Sequence, residues 1–152
     1  MFTLAGERTD QDIARGLEAM EVCREDVEDV IERLSSTDEP DLVFIGCPHC
    51  SRDELALLAE LLKGRRVRPG KRLWVCTSRY IRDTNRSLVS AIEACGALVV
   101  VDTCVVVSWV ESLGVDVVAT NSPKAAYYLP GLSGVRVRLA DLRECVDLVC
   151  SR

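Results

Sequence analysis

The sequence predicts an α/β fold, a three-layer αβα domain with a mostly parallel sheet of about five strands. Short apolar runs typical of strands alternate along the chain with amphipathic helical patterns, which is the order of a parallel α/β sheet. Some of the runs are apolar throughout, as at 98–101, which favours strands buried on both faces. No repeat or linker interrupts the 152 residues, so we expect a single domain over 1–152.

Six helices are predicted from apolar residues spaced three or four positions apart. Most begin at a residue whose side chain can cap a helix, and two of the starts carry the capping-box spacing of Ser or Asp with Glu three residues later. The predicted caps are Thr9, Ser51, Asp83, Ser122 and Asp141. The first helix would place Ile13, Leu17 and Met20 on one face, and the second would do so with Cys23, Val27, Val30, Ile31 and Leu34.

Five strands are predicted at 42–45, 73–76, 98–101, 115–119 and 135–139. The segment 104–113 is ambiguous, because its three valines favour a strand while the residues after them favour a helical turn. The basic cluster at 65–72 contains a Pro and a Gly and is predicted to be a loop.

Composition and charge exclude several classes of function. The formal net charge of −5 argues against nucleic acid as a partner, because phosphates favour a basic surface. The apolar runs are too short to span a bilayer, and the first residues lack the pattern of a signal peptide. We therefore expect no membrane partner and a cytoplasmic location, where the eight cysteines would stay reduced.

Position along the predicted elements separates the cysteines. Cys23, Cys95 and Cys145 fall on apolar helix stripes and are predicted to be core residues. Cys76 ends a strand and could belong to the core or to a pocket, and Cys150 carries no signal.

Cys47 and Cys104 stand apart because each closely follows a strand, where backbone N–H groups can favour a thiolate. The polar segment 120–124 follows a later strand in the same way, and the carboxyl ends of parallel strands share one edge of a sheet. Cys47 and Cys50 form a CxxC pair, which is compatible with zinc, a redox dithiol or a cluster, and His49 is the only histidine. Buried structural thiols remain the alternative.

Three motifs in this order resemble the aconitase X family over most of the chain. They are Gly46-Cys47-Pro48-His49-Cys50-Ser51 with Glu54, then Asp102-Thr103-Cys104, then Thr120-Asn121-Ser122-Pro123-Lys124-Ala125-Ala126-Tyr127-Tyr128 with Pro130-Gly131. The resemblance is to the C-terminal part of the family's large subunit. The family pattern often has a histidine where this chain has Tyr127 and Tyr128.

The resemblance implies an iron–sulfur hydro-lyase. Its cluster, 4Fe-4S or alternatively 2Fe-2S, would be held by three cysteines, with Cys47 and Cys104 as two ligands and the third outside this chain. Lys124 would bind an anionic substrate, and Thr120, Asn121 and Ser122 would supply hydrogen bonds. The alternative for these four residues is a solvated lysine and ordinary strand-end and N-cap chemistry. No residue is a convincing general base.

The resemblance also implies partners: the remaining N-terminal part of the large subunit, a small swivelling subunit and a small anionic substrate. The expected substrate is (R)-5-phosphomevalonate of the archaeal mevalonate pathway, with cis-3-hydroxy-L-proline as the alternative. The chain alone is expected to be inactive. A non-catalytic module that uses the cysteines for metal binding or redox chemistry is the competing hypothesis.

Overall fold

The structure, a computed structural model, describes residues 20–151. Its helices are α1 (Arg24–Leu34), α2 (Arg52–Leu62), α3 (Arg79–Thr84), α4 (Arg86–Glu93), α5 (Pro123–Ser133) and α6 (Leu142–Val149). Its strands are β1 (Leu42–Cys50), β2 (Arg66–Val67), β3 (Arg72–Thr77), β4 (Leu98–Val101), β5 (Val117–Thr120), β6 (Arg136–Leu139) and β7 (Cys150–Ser151).

The main sheet has five parallel strands in the order β4-β3-β1-β5-β6, which confirms the predicted α/β fold. From the central strand β1 the chain first builds outward through β3 and β4, and then returns to add β5 and β6 on the other side. In such a doubly wound sheet, ligands bind where the strand order reverses, outside the carboxyl ends of the strands. Here that point lies between β1 and β5.

Alternate side chains of β1 enter two separate apolar layers, one on each face of the sheet. Val43 and Ile45 pack with α2, α4 and α6, while Leu42 and Phe44 pack with α5 and the segment before β5. All four side chains are buried. The helices on both faces make the architecture three-layered.

Several predicted helix starts are confirmed. The Ser51 side chain accepts a hydrogen bond from the N–H of Glu54, and the Glu54 carboxylate accepts one from the N–H of Ser51. Asp141 caps α6. The start predicted at Asp83 is wrong. Ser78 caps a helix that begins earlier, and Asn85 separates that helix from the next, so the predicted apolar stripe, which starts at Leu88, belongs to the second of two short helices.

Two strands differ from expectation. The first strand continues past Ile45 to Cys50, with an irregularity in its pairing to β3 between these residues, so the cysteine motif lies within the strand's distorted end. The run 98–101 is an edge strand and is only partly buried, whereas burial on both faces was predicted. An apolar sequence shows that a strand is hydrophobic, but it does not show which neighbours the strand has.

The ambiguous segment 104–113 forms two 3₁₀ turns, at Val105–Val107 and Val110–Leu113, so neither a strand nor an α-helix forms there. The basic cluster at 65–72 includes β2, which pairs antiparallel with β7 at the end of the described chain. This small sheet was not predicted, because two-residue strands leave no periodic pattern.

The helix α1 was predicted correctly, but its apolar stripe is not buried within residues 20–151. Cys23 is exposed at the N-cap, which corrects its prediction as a core residue, and Val27 and Ile31 are also exposed. Leu34 packs against the core at the helix end. The helix predicted after Thr9 lies outside the described residues, except for Met20. Met20 is described and is not helical.

Cys145 is buried and Cys95 packs against the same core layer, as predicted. Cys150 is buried as well. In the part of the chain described, no helix combines the length and the hydropathy that crossing a bilayer requires.

Candidate functional site

The candidate site lies at the carboxyl edge of the sheet, beside the point where the strand order reverses. The Ser122 hydroxyl donates a hydrogen bond of 2.7 Å to the carbonyl oxygen of Cys47. The same Ser122 oxygen accepts the Ala125 N–H and so caps α5, at 3.2 Å. Ser122 therefore joins the cysteine motif of the first strand to the loop after β5.

Gly46 makes the turn into the cysteine motif possible. Its φ of +105° is open to glycine but strained for other residues. A Cβ at this position would lie 2.2 Å from the carbonyl oxygen of Cys76 and 3.1 Å from the Cys50 sulfur. Glycine thus allows the backbone of the first strand to lie close to the backbone of β3 at Cys76.

A cavity of about 330 Å³ opens at this edge and brings together three of the predicted site residues, Cys47, Cys104 and Lys124. These residues are far apart in sequence, and each reaches the cavity from a different part of the sheet. The remaining lining residues are Gly46, Pro48, His49 and Thr103.

The segment that carries Cys104 is held by its neighbours. Asp102 follows β4 with a positive φ of 53°, and its carboxylate accepts hydrogen bonds from the backbone N–H of Arg79 at 2.9 Å and from its Nε at 3.0 Å. On the other side of the cysteine, the Ser108 hydroxyl donates to the carbonyl oxygen of Cys104 at 2.6 Å. Cys104 is thereby fixed between a strand end and a 3₁₀ turn.

Burial raises the pKa of the Cys47 thiol, and the adjacent Cys104 thiol raises it further. A hydrogen-bonding contribution from Ser122 and the positive charge of Lys124 lower this pKa, but they do not compensate. Cys47 was expected to precede a turn or helix start that favours a thiolate. It lies instead within β1, and burial outweighs the groups that lower its pKa. A cation bound at Cys47 would have to displace a proton.

Cys50 does not share the environment of Cys47, although the two form the CxxC pair. Its side chain is buried in the layer of α2, α4 and α6, whereas Cys47 packs against the layer on the opposite face of the sheet. Burial, with smaller contributions from Glu54 and Cys76, raises the pKa of Cys50 to about 12. This arrangement does not favour a CxxC redox dithiol.

The four residues predicted to bind substrate do not all line the same cavity. Lys124 lines the cavity, while Thr120 and Ser122 are buried beside it and bond to the backbone of their own loop or of Cys47. Asn121 lines a different groove, between α1 and the loop after β6. Their predicted hydrogen bonds to substrate stay predictions.

Sequence reasoning missed the contribution of two residues. His49 donates from Nε2 to the carbonyl oxygen of Thr103 at 2.9 Å, and the Cys76 thiol donates to the same oxygen at 2.9 Å. The position of Cys76 at a strand end was the only available signal that it could approach the cavity. Across residues 20–151, no three Cys, His, Asp or Glu side chains are grouped so as to hold one metal ion.

The aconitase X third-domain family model matches residues 40–151. The chain belongs to the aconitase X family. It is 43% identical over 131 residues to the phosphomevalonate dehydratase large subunit of Methanocaldococcus jannaschii, a match that covers 84% of this chain and 32% of the relative. It is 38% identical to the cis-3-hydroxy-L-proline dehydratase of Pseudomonas aeruginosa, with 84% of this chain and 23% of that protein covered.

The fold agrees with this family. The crystal structure of Thermococcus kodakaraensis aconitase X in its holo-form superposes with a TM-score of 0.74 at 30% sequence identity, covering 82% of this chain and 33% of that one. The chain thus corresponds to the C-terminal part of an aconitase X protein, as the resemblance implied. It spans about a third of the length of the large subunits it matches.

Proposed function

We propose that this chain is the cluster- and substrate-binding domain of an iron–sulfur dehydratase that acts on (R)-5-phosphomevalonate. One observation carries the proposal: two thiols, Cys47 and Cys104, and one ammonium group, Lys124, line the same cavity at the sheet edge. The relatives with 40–46% identity that are named as phosphomevalonate dehydratase large subunits support the substrate.

The residues present fit an iron–sulfur cluster as partial ligands. Cysteine thiolates are the usual ligands of such clusters, and here two approach one cavity from separate strands. A cluster with one open iron would supply a Lewis acid that takes the substrate hydroxyl. The third ligand would come from the N-terminal part of a large subunit.

Lys124 supplies the charge for the substrate side of the cavity. It is the second residue of α5, and Ser122 and Pro123 fix the start of that helix. An ammonium group next to the thiols would pair with an anionic oxygen of the substrate and orient the hydroxyl-bearing carbon toward them. Phosphomevalonate carries both a carboxylate and a phosphate that could make this contact.

We further propose that the chain is inactive alone and works with the rest of a large subunit and a small subunit. The relatives are named as large subunits, which supports this proposal, and this chain covers only about a third of their length. The exposed apolar residues of α1 would then be covered by another part of the assembly. cis-3-Hydroxy-L-proline is the second candidate substrate, on the basis of the 38% identical relative.

The test is anaerobic reconstitution with iron and sulfide, first of this chain alone and then together with the N-terminal part of a large subunit and a small subunit. We expect stable iron incorporation and phosphomevalonate dehydration only in the assembly. Cys47→Ser and Cys104→Ser should each abolish iron incorporation, whereas Cys50→Ser, the matched control, should retain it. Stoichiometric iron and turnover by the isolated chain, or an equal loss with Cys50→Ser, would contradict the proposal.

A further inference from the structure

The carbonyl oxygen of Thr103 accepts two hydrogen bonds at the wall of the cavity. One comes from His49 Nε2 and the other from the Cys76 thiol, each at 2.9 Å. Thr103 immediately precedes Cys104, and His49 lies two residues after Cys47. The His49 bond therefore connects the segments that carry the two cavity thiols.

The His49 bond differs from the other hydrogen bonds of the site in what it joins. Ser122 holds Cys47 to the loop after β5, and Ser108 holds Cys104 to its own 3₁₀ turn, so each fixes one cysteine separately. Among the side-chain hydrogen bonds within residues 20–151, that of His49 joins segment 46–50 directly to segment 102–104.

The hydrogen bond from His49 to the Thr103 carbonyl oxygen can form whether or not the imidazole ring is charged. A carbonyl oxygen only accepts, so Nε2 carries the proton in the neutral imidazole, and it remains a donor when the ring is protonated. The bond can therefore hold the two segments at a constant separation with either a neutral or a protonated ring.

We propose that His49 is a positioning residue that sets the separation of Cys47 and Cys104 through the carbonyl oxygen of Thr103. Its relevance to catalysis rests on the proposed function, but the separation of the thiols can be measured without iron. Cys76 supports the same oxygen from the end of β3, inside the sheet. The His49 bond holds the Cys104 segment to the first strand, and the Cys76 bond holds it to β3.

The test is titration of the full chain with Cd²⁺, a thiophilic ion, followed by its thiolate charge-transfer absorption, in a Cys23→Ser background that removes the exposed thiol. Cys47→Ser and Cys104→Ser define the signal that needs both cysteines. His49→Ala should weaken this Cd²⁺ binding about fivefold, the size expected for one net hydrogen bond of about 1 kcal/mol. His49→Gln, which can place an amide N–H near the position of Nε2, should restore most of it.

Lys71→Met is the matched control. It removes a hydrogen bond of 2.9 Å to the Pro40 carbonyl oxygen and an ion pair of 3.3 Å with Glu39, which join the starts of two strands at the opposite edge of the sheet. We expect Cd²⁺ affinity to be unchanged in this variant, and the melting temperature of His49→Gln to match that of the parent.

Any of three results with the parent or the His49 variants would overturn the proposal: equal affinity of His49→Ala and the parent, failure of His49→Gln to recover binding, or a parent that does not bind Cd²⁺ through both thiols. A similar loss in Lys71→Met would also overturn it, since the effect would then be general. The outcome is separate from that of iron reconstitution, because the chain can hold its thiols at a fixed separation and still not be a dehydratase.

Discussion

The Ser122 hydroxyl performs two tasks at once: it caps α5 and it donates a 2.7 Å hydrogen bond to the carbonyl oxygen of Cys47. The first task is local and the second spans 75 residues of sequence. The start of the helix that carries Lys124 is thus placed relative to one of the two cavity thiols. Changes at Ser122 should therefore affect both the helix and the cysteine motif.

Ser122→Ala should lower the free energy of unfolding by about 2 kcal/mol, because it removes a cap and a buried hydrogen bond. Ser78→Ala is the control, since Ser78 caps α3 by the same kind of bond, at 3.2 Å to the Ile81 N–H. It should cost about 1 kcal/mol. Urea unfolding measures both variants, and equal losses would show that the bond to Cys47 contributes nothing.

Gly46→Ala should destabilise the chain by about 3 kcal/mol, because a Cβ would collide with the Cys76 carbonyl and φ is positive. Gly70→Ala is matched in backbone conformation, with a φ of +78°, but its Cβ would meet no atom within 4 Å. It should cost about 1 kcal/mol. If thermal and urea unfolding give similar values for the two variants, the close approach at Gly46 is not limiting.

The stability of the chain should fall at alkaline pH in part because of Cys50. Folding raises the pKa of this thiol from 9.0 to about 12, so its contribution is complete below pH 9 and is lost as the pH rises through the folded value. By pH 10.5 the loss should reach about 2 kcal/mol. Cys50→Ala should therefore show a smaller decrease in unfolding free energy between pH 8 and 10.5.

The exposed Cys23 provides the control for that experiment. Cys23→Ser uncovers no part of the core, so its unfolding curves should follow those of the parent at both values of pH. Cys145, also buried and with its pKa raised to about 12, should behave like Cys50 when replaced by alanine. A parallel pH dependence of Cys50→Ala and the parent would show that the thiol ionises equally in both states.

Lys124→Gln should raise the KM for phosphomevalonate by about tenfold to a hundredfold in the reconstituted assembly, since one charge-assisted hydrogen bond is lost. Iron content should stay unchanged, because the lysine is not a ligand in the proposal. Lys63→Gln, an exposed lysine after α2, is the control. Loss of iron in Lys124→Gln, or an unchanged KM, would assign Lys124 a different role.

Much of the architecture is local in origin and could be predicted. The caps at Ser51 and Asp141 and the five strand-like runs depend on residues close together in sequence, and the structure confirms them. The same information cannot show which elements become neighbours. The stripe of α1 was recognised, but its exposure and that of Cys23 depend on what packs there.

The candidate site was predicted in part. Cys47, Cys104 and Lys124 were singled out, and the topology of the sheet brings them to one cavity. The role of His49 could not be predicted, because its partner is a backbone oxygen 54 residues away that no residue type marks. The raised pKa of Cys47 likewise depends on burial that the sequence does not reveal.

Cys104 and Lys124 reach the cavity from strands on opposite sides of β1: the cysteine follows β4, and the lysine follows β5. The two sides are in contact, however, because Val105 and Val110 after the cysteine pack in the same apolar layer as Ala125 of α5. If the proposed roles hold, a substitution in the loop after β5 that adapts the cavity to a new substrate would also act on the metal-binding side, through the bond from Ser122 to Cys47 and through this layer.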